Sequence, residues 1–245
     1  MGHPAWVGIG AQRSGTTWLT DLLTQHPRVG LGDNDKKEQQ LLHKIADGRI
    51  EAADYYACFA DDGVVRGEWS PQYMRHASTP VTAAQVVPDS LLLVLLRDPV
   101  ERFKSAMSLA LTRERMKERS DPAKRTIQLA WPYPVPMMVQ TWTGFYADQL
   151  DSWAAACGRD RMVVMVHEVV RQDPQAAVER IWRRLGLDPV PLGRDVTEKS
   201  HSSSKVSWDW TPGLKESLQV MYGPQAERLA TDWGLDVSSW SGLSG

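Results

Sequence analysis

Four short apolar runs read as buried strands: Trp6 to Ile9, Leu91 to Leu96, Met162 to Val166, and a weaker run from Val64 to Trp69. Between them the apolar positions take up helical spacing. Trp18, Leu19, Leu22 and Leu23 repeat in that way until Pro27 stops the helix, and Phe103, Met107, Ala110 and Leu111 mark a second. The pattern predicts further helices near residues 36–47, 140–156, 174–185 and 213–233. Strands alternating with helices predict an α/β fold with a central parallel sheet flanked by helices, and ligands then bind beyond the carboxyl ends of the strands. One domain spanning residues 1–245 is expected.

Composition narrows the class. With 245 residues, 42% of them hydrophobic, the chain can bury a sizeable core. A net charge of −2 with 24% charged residues gives no global case for nucleic acid or a membrane as partner, which leaves a local basic site open. Cys58 and Cys157 lie far apart and outside any C-x-x-C pattern, so neither a disulfide framework nor a zinc site is implied, and no metal is expected. The start MGHPAWVGIG has neither a basic head nor a long apolar stretch, and no run reaches the roughly 18 apolar residues of a membrane span. A soluble, cytoplasmic protein is expected.

Residues 10–17, GAQRSGTT, set G-x-x-x-x-G and two hydroxyl residues between a strand and a helix. That is the context of a phosphate-binding loop, where backbone N–H groups and a helix N-terminus converge on an anion. In nucleotidases a lysine follows the second glycine and reaches the β- and γ-phosphates; here Thr16 takes its place, and the nearest cation is Arg13 within the loop. A loop of this kind is not expected to process a β/γ-phosphate with Mg²⁺. A less charged group, such as a sulfonate carried on a phosphate, needs only N–H donors and a cation or two. The plainer alternative is a strand-to-helix turn, with glycine present for geometry and threonine for capping.

A second element, LLLVLLRDPVERFKSA, reads as a buried strand ending at Leu96 with Arg97 and Asp98 at its tip and Pro99 opening a helix. Ser105 lies two residues beyond Phe103, about 200° round the helix, and so points away from the core. Arg97 and Ser105 are candidates to grip a second phosphate; the alternative is a strand-end Arg97–Asp98 ion pair and a surface serine.

Together the two elements resemble the sulfotransferase family that uses 3′-phosphoadenosine 5′-phosphosulfate (PAPS) as donor and releases adenosine 3′,5′-bisphosphate. GAQRSGTTWLTDLLTQHP is similar to the family's 5′-phosphosulfate loop, and RDPVERFKSA to its 3′-phosphate element. NDKKEQQLL resembles the K-E segment of the heparan-sulfate-type branch and its bacterial relatives, GEWSPQYM its S/T-P-x-Y segment, and YGPQAERLATDWGLDVSSW its C-terminal helix. The resemblance implies a P-loop NTPase-like sulfotransferase fold. It implies that Arg13, Ser14, Gly15, Thr16, Thr17 and Trp18 line the donor site, and that Arg97 and Ser105 bind its 3′-phosphate. Arg13 stands where many members carry lysine, keeping the charge but unable to lose a proton. Trp69 stands where heparan-type members often carry lysine, which weakens the case for a polyanionic sugar acceptor.

The same resemblance makes Glu38 the group that takes the acceptor's proton, with Lys37 beside it bearing on the sulfonate or tuning the acid. Other branches use histidine, so His43 and His76 stand as alternatives, and His26 reads as a helix end. Trp131, Tyr133 and Met137, in the proline-rich stretch WPYPVPMM, are candidate acceptor contacts on a lid loop, together with Trp69 and Tyr73. Ser203, Ser204 and Lys205 of the run HSSSK are the expected clamp over the nucleotide. The expected activity is sulfonate transfer, without a metal, from PAPS to a hydroxyl, or an amine, of a small or medium-sized acceptor such as a bacterial secondary metabolite. Two other readings stay open: a P-loop small-molecule kinase with Asp98 as its metal acid, and a catalytically silent nucleotide-binding protein.

Overall fold

A computed structural model describes residues 2–32, 35–120, 134–193, 210 and 213–243. Its strands are β1 (Trp6–Gly10), β2 (Val29–Leu31), β3 (Val65–Trp69), β4 (Leu91–Leu96) and β5 (Met162–Val166). Its helices are α1 (Thr16–Leu23), α2 (Leu42–Ala46), α3 (Ala52–Tyr56), α4 (Thr79–Val86), α5 (Pro99–Ser120), α6 (Pro134–Trp142), α7 (Tyr146–Cys157), α8 (His167–Gln172), α9 (Pro174–Arg184) and α10 (Leu214–Thr231). The chain divides into two compact units, residues 1–97 with 147–198, and residues 98–146 with 199–245.

The first unit contains the whole sheet, in the order β2-β3-β1-β4-β5, every pair parallel. Each residue of β1, β4 and β5 is buried. Because a strand sends alternate side chains to opposite faces, unbroken burial means that both faces are covered, as the continuous apolar runs require. Trp6, Trp69, Leu93, Leu95 and Val163 pack with Leu19, Leu22 and Leu23 of α1 and with Val178, Ile181 and Trp182 of α9. Helix α9 opens on Pro174, and its cap Asp173 accepts from Ala176 N at 2.9 Å. A fully buried Leu or Ile contributes about 1.5–3 kcal/mol, against about 0–1 kcal/mol for exposed ion pairs such as Arg183–Glu179. Apolar burial therefore holds these layers together.

The strand order reverses at β1, since β2 and β3 lie to one side of it and β4 and β5 to the other. Ligand crevices of open α/β sheets form at the carboxyl end of such a switch point. The residues that follow Gly10 in the chain, and their neighbours after Trp69 and Leu96, are accordingly where chemistry is expected.

In the second unit, Val100, Phe103 and Met107 of α5 pack with Leu218 and Tyr222 of α10. Asp98 caps α5: one carboxylate oxygen accepts from Val100 N at 2.9 Å and Glu101 N at 3.3 Å, the other from Gly242 N at 2.6 Å. A carboxylate that accepts from three backbone donors acts here as a helix cap. Arg102 is fully buried and donates to both the side-chain and backbone oxygens of Gln140.

The four predicted strands are present, and β2 is an addition too short to show in the apolar pattern. Three helical expectations are corrected. Only Leu42–Ala46 of the span 36–47 is helical, because the preceding backbone is held by side chains from β3 and beyond. The span 140–156 is two helices, α6 and α7, separated at residues 143–145. WPYPVPMM is not a loop from Pro134 onward: Pro134 and Pro136 sit in the first turn of α6, where a missing N–H breaks no helical bond.

Candidate functional site

The loop after β1 is built by backbone geometry. Gly15 caps α1 with φ of 86°, a left-handed conformation that glycine adopts without penalty, and Arg13 holds φ of 70° within the same turn. The first turn of α1 carries no acidic side chain, so its N–H groups and the positive end of the helix dipole are not neutralised by the chain itself. Ala11 N donates to Leu95 O at 2.9 Å, tying the loop to β4, and Arg75 Nη1 donates to Gln12 Oε1 at 3.0 Å. Ser14 is fully buried, and its Oγ meets no partner among the described residues.

A second cation, besides Arg13, reaches the loop from elsewhere in the chain. Lys37 Nζ donates to Thr16 Oγ1 at 3.1 Å, to Thr17 Oγ1 at 3.2 Å and to Glu38 Oε1 at 3.3 Å. Its side chain is only 17% exposed. Burial pushes the Lys37 ammonium below its ordinary range, while the charges of Glu38, Asp21 and Glu68 act to retain its proton. Accepting from Lys37 leaves each threonine O–H proton free to point at an anion. The buried, unpartnered Ser14 hydroxyl adds a further donor, so these residues fit a phosphate or phosphosulfate group.

Glu38 is half-buried and is held on two sides: Lys37 donates to one oxygen, and Gln40 Nε2 to the other at 2.9 Å. The pair is not a solvated helix start. It lies in the stretch 35–41, fastened to β3 by Trp69 N donating to Lys37 O at 2.7 Å.

Two expected acceptor contacts are corrected by burial. Trp69 is completely buried in β3, its ring against Gly8, where a Cβ would come within 2.1 Å of it, and its indole N–H donates to Gly10 O at 3.2 Å. It supports the loop from below. Trp69→Ala is expected to destabilise the protein by about 3–5 kcal/mol, measured by urea unfolding, because the indole fills the space over a glycine. Tyr73 is also fully buried, with its hydroxyl donating to Glu68 Oε1 at 2.8 Å. Met137 packs against the apolar cluster of the second unit, not on a lid loop.

Trp18 is 8% exposed, belongs to the core cluster and meets His167 edge-on at 5.9 Å. Arg97 follows β4 in the first unit and Ser105 lies on α5 in the second. His43 and His76 face each other with ring centroids 5.2 Å apart. Burial and the neighbouring His76 push His43 below its ordinary range. His26 is structural: Nδ1 accepts from Arg28 N and Nε2 bonds Asp188 O at 3.0 Å. Trp131, Tyr133, Ser203, Ser204 and Lys205 lie outside the described residues. The residues that the sequence did not single out are Glu68, Gln40 and Arg75; Glu68 was visible as the acid of GEWSPQYM.

No helix among the described residues is long and apolar enough to cross a membrane. Residues 6–209 match the family model described as the sulfotransferase domain. Over 201 residues the chain is 26% identical to mouse heparan sulfate glucosamine 3-O-sulfotransferase 6, covering 80% of this chain and 54% of that protein. It is 22% identical over 202 residues to mouse bifunctional heparan sulfate N-deacetylase/N-sulfotransferase 4, covering 76% of this chain and 22% of the relative. The chain thus spans between about a fifth and about half the length of these curated relatives. The crystal structure of a sulfotransferase from Alicyclobacillus acidocaldarius is similar with a TM-score of 0.74 and 25% identity, covering 98% of this chain and 99% of the other. With a family model matched from β1 through both motif-bearing strand ends, the chain belongs to the sulfotransferase family.

Proposed function

We propose that this chain moves a sulfonate group from PAPS to a hydroxyl, ahead of an amine, on a small or medium-sized acceptor of the bacterial secondary-metabolite kind, by in-line displacement, with residues 1–245 acting as one sulfotransferase domain. The observation that carries this reading is Lys37 Nζ, bonded at once to Thr16, Thr17 and Glu38. One cation joins the anion-binding loop to the Glu38 carboxylate. The loop amides, the hydroxyls of Ser14, Thr16 and Thr17, and Arg13 are assigned to the 5′-phosphosulfate. Arg97 and Ser105 are assigned to the 3′-phosphate on the resemblance alone.

In the transfer, the bond between sulfur and the donor's phosphate oxygen breaks as the acceptor oxygen bonds to sulfur. Negative charge grows on the departing phosphate, where Lys37, Arg13 and the positive end of α1 stabilise it. Glu38 takes the acceptor proton. Cys58 and Cys157 form no disulfide, which supports a reducing, cytoplasmic setting.

The test is incubation of the purified chain with PAPS and a panel of phenols, alcohols and amines, followed by mass spectrometry. The expected result is bisphosphate formed in step with a sulfated acceptor. Bisphosphate at background level with every acceptor would contradict the reading.

A further inference from the structure

The stretch that carries Lys37 and Glu38 is held by an unusual device. Four consecutive backbone N–H groups, those of Gln39, Gln40, Leu41 and Leu42, all lead to one buried carboxylate, Glu68. Gln39 N donates to Glu68 Oε2 directly, at 3.0 Å. Gln40 N donates to Ser70 Oγ at 2.9 Å, and Ser70 Oγ donates to the same Oε2 at 2.5 Å. Leu41 N and Leu42 N donate to the Tyr73 hydroxyl at 2.8 and 3.2 Å, and that hydroxyl donates to Glu68 Oε1. Tyr55 OH completes the set, donating to Oε1 at 3.0 Å. Glu68 and Tyr73 are fully buried, so no bulk water can substitute for a missing partner.

We propose that Glu68 is a positioning residue for the transfer: its carboxylate fixes the direction of every proton in this network and thereby sets the backbone from which Lys37 and Glu38 reach the loop. The inference rests on the sulfotransferase reading above. A hydroxyl has one proton and two lone pairs. Only when Ser70 and Tyr73 spend their protons on Glu68 do their lone pairs face the N–H groups of residues 40–42. A carboxylate, which accepts at both oxygens, is the side chain that permits this.

Glutamine at position 68 cannot. Its amide nitrogen must avoid the fixed Gln39 N–H and so turn towards the tyrosines. Tyr73 would then face three donors, from Leu41, Leu42 and the amide, with two lone pairs to offer, and one bond is lost. Glu68 also acts on Lys37 by charge: together with Glu38 and with Asp21 of α1 it helps a mostly buried ammonium keep its proton. Removing that charge lowers the pH at which Lys37 becomes neutral.

The experiment compares the parent chain with Glu68→Gln and Tyr73→Phe. The readouts are turnover of PAPS to bisphosphate and sulfate with water as acceptor, bisphosphate affinity by calorimetry, and the pH profile of turnover. Glu68→Gln is expected to lower turnover by about 10- to 100-fold, the range for one buried donor left unpaired, with bisphosphate affinity within about threefold of the parent. The alkaline limb of its profile should move to lower pH. Tyr73→Phe keeps the charge at Glu68 and strands two N–H groups, so turnover should fall while the limb stays in place. Parental turnover and an unmoved limb in Glu68→Gln would overturn the proposal, as would a loss of bisphosphate affinity that matches the loss of turnover. If Glu68→Gln does not fold, Tyr73→Phe decides: reduced turnover with bisphosphate still bound supports the proposal, and parental turnover overturns it. A parent protein that binds no bisphosphate would instead overturn the sulfotransferase reading, a result seen before any variant is made.

Discussion

Lys37→Met is expected to lower turnover of PAPS by about 10²–10³-fold, the effect of removing one preorganised donor from the place where charge develops. Methionine retains the length and apolar body of the stem and loses the ammonium. The site is enclosed enough, with the lysine side chain 17% exposed, that solvent offers a poor replacement. Thr16 and Thr17 would also lose the donor that orients their hydroxyls. Affinity for the bisphosphate should fall less, by about tenfold at most, since the loop amides and the helix end are untouched. Steady-state kinetics paired with calorimetry separates the two quantities. Equal losses in both would assign Lys37 to binding the donor, not to the transfer itself.

Glu38→Gln should reduce turnover by about 10²–10⁴-fold, the range for a group that takes a proton in the transition state. The substitution is nearly isosteric, and its amide oxygen can still accept from Lys37, so the arrangement at the loop persists while the proton acceptor is gone. Bisphosphate affinity should therefore be unchanged within about twofold, which marks the loss as chemical. Retained turnover in Glu38→Gln would move the proton-accepting role elsewhere, and the paired His43 and His76 would then be the residues to replace next.

The strands and the loop were legible because their signals are local. A run such as LLLVLL is apolar at every position only if both sheet faces are covered, and the burial of all six residues shows the pattern had that meaning. The switch-point loop announced itself through two glycines, one of which adopts the left-handed conformation at the helix cap. Other features depended on contacts between residues far apart in the chain. The stretch DNDKKEQQ has the composition of a charged helix start, yet the backbone N–H groups of its last two residues, Gln39 and Gln40, go to Glu68 and Ser70 about 30 residues away. Likewise, nothing within GAQRSGTT shows that a second cation arrives from residue 37. Trp69 and Tyr73 were read as acceptor contacts because an aromatic residue at a strand end can face either the crevice or the core; the small Gly8 beneath the indole and the buried Glu68 beside the phenol decide for the core. Prolines misled from Pro134 onward, where the first helical turn tolerates them.

The central claim is that the loop, with Lys37 brought to it, is a site for PAPS and for its product adenosine 3′,5′-bisphosphate. Isothermal titration with that bisphosphate and, separately, with ATP plus Mg²⁺, repeated on Arg97→Ala, tests it most directly. The account predicts micromolar binding of the bisphosphate that Mg-ATP does not match and that Arg97→Ala loses. Tighter binding of Mg-ATP, indifferent to Arg97, would contradict it.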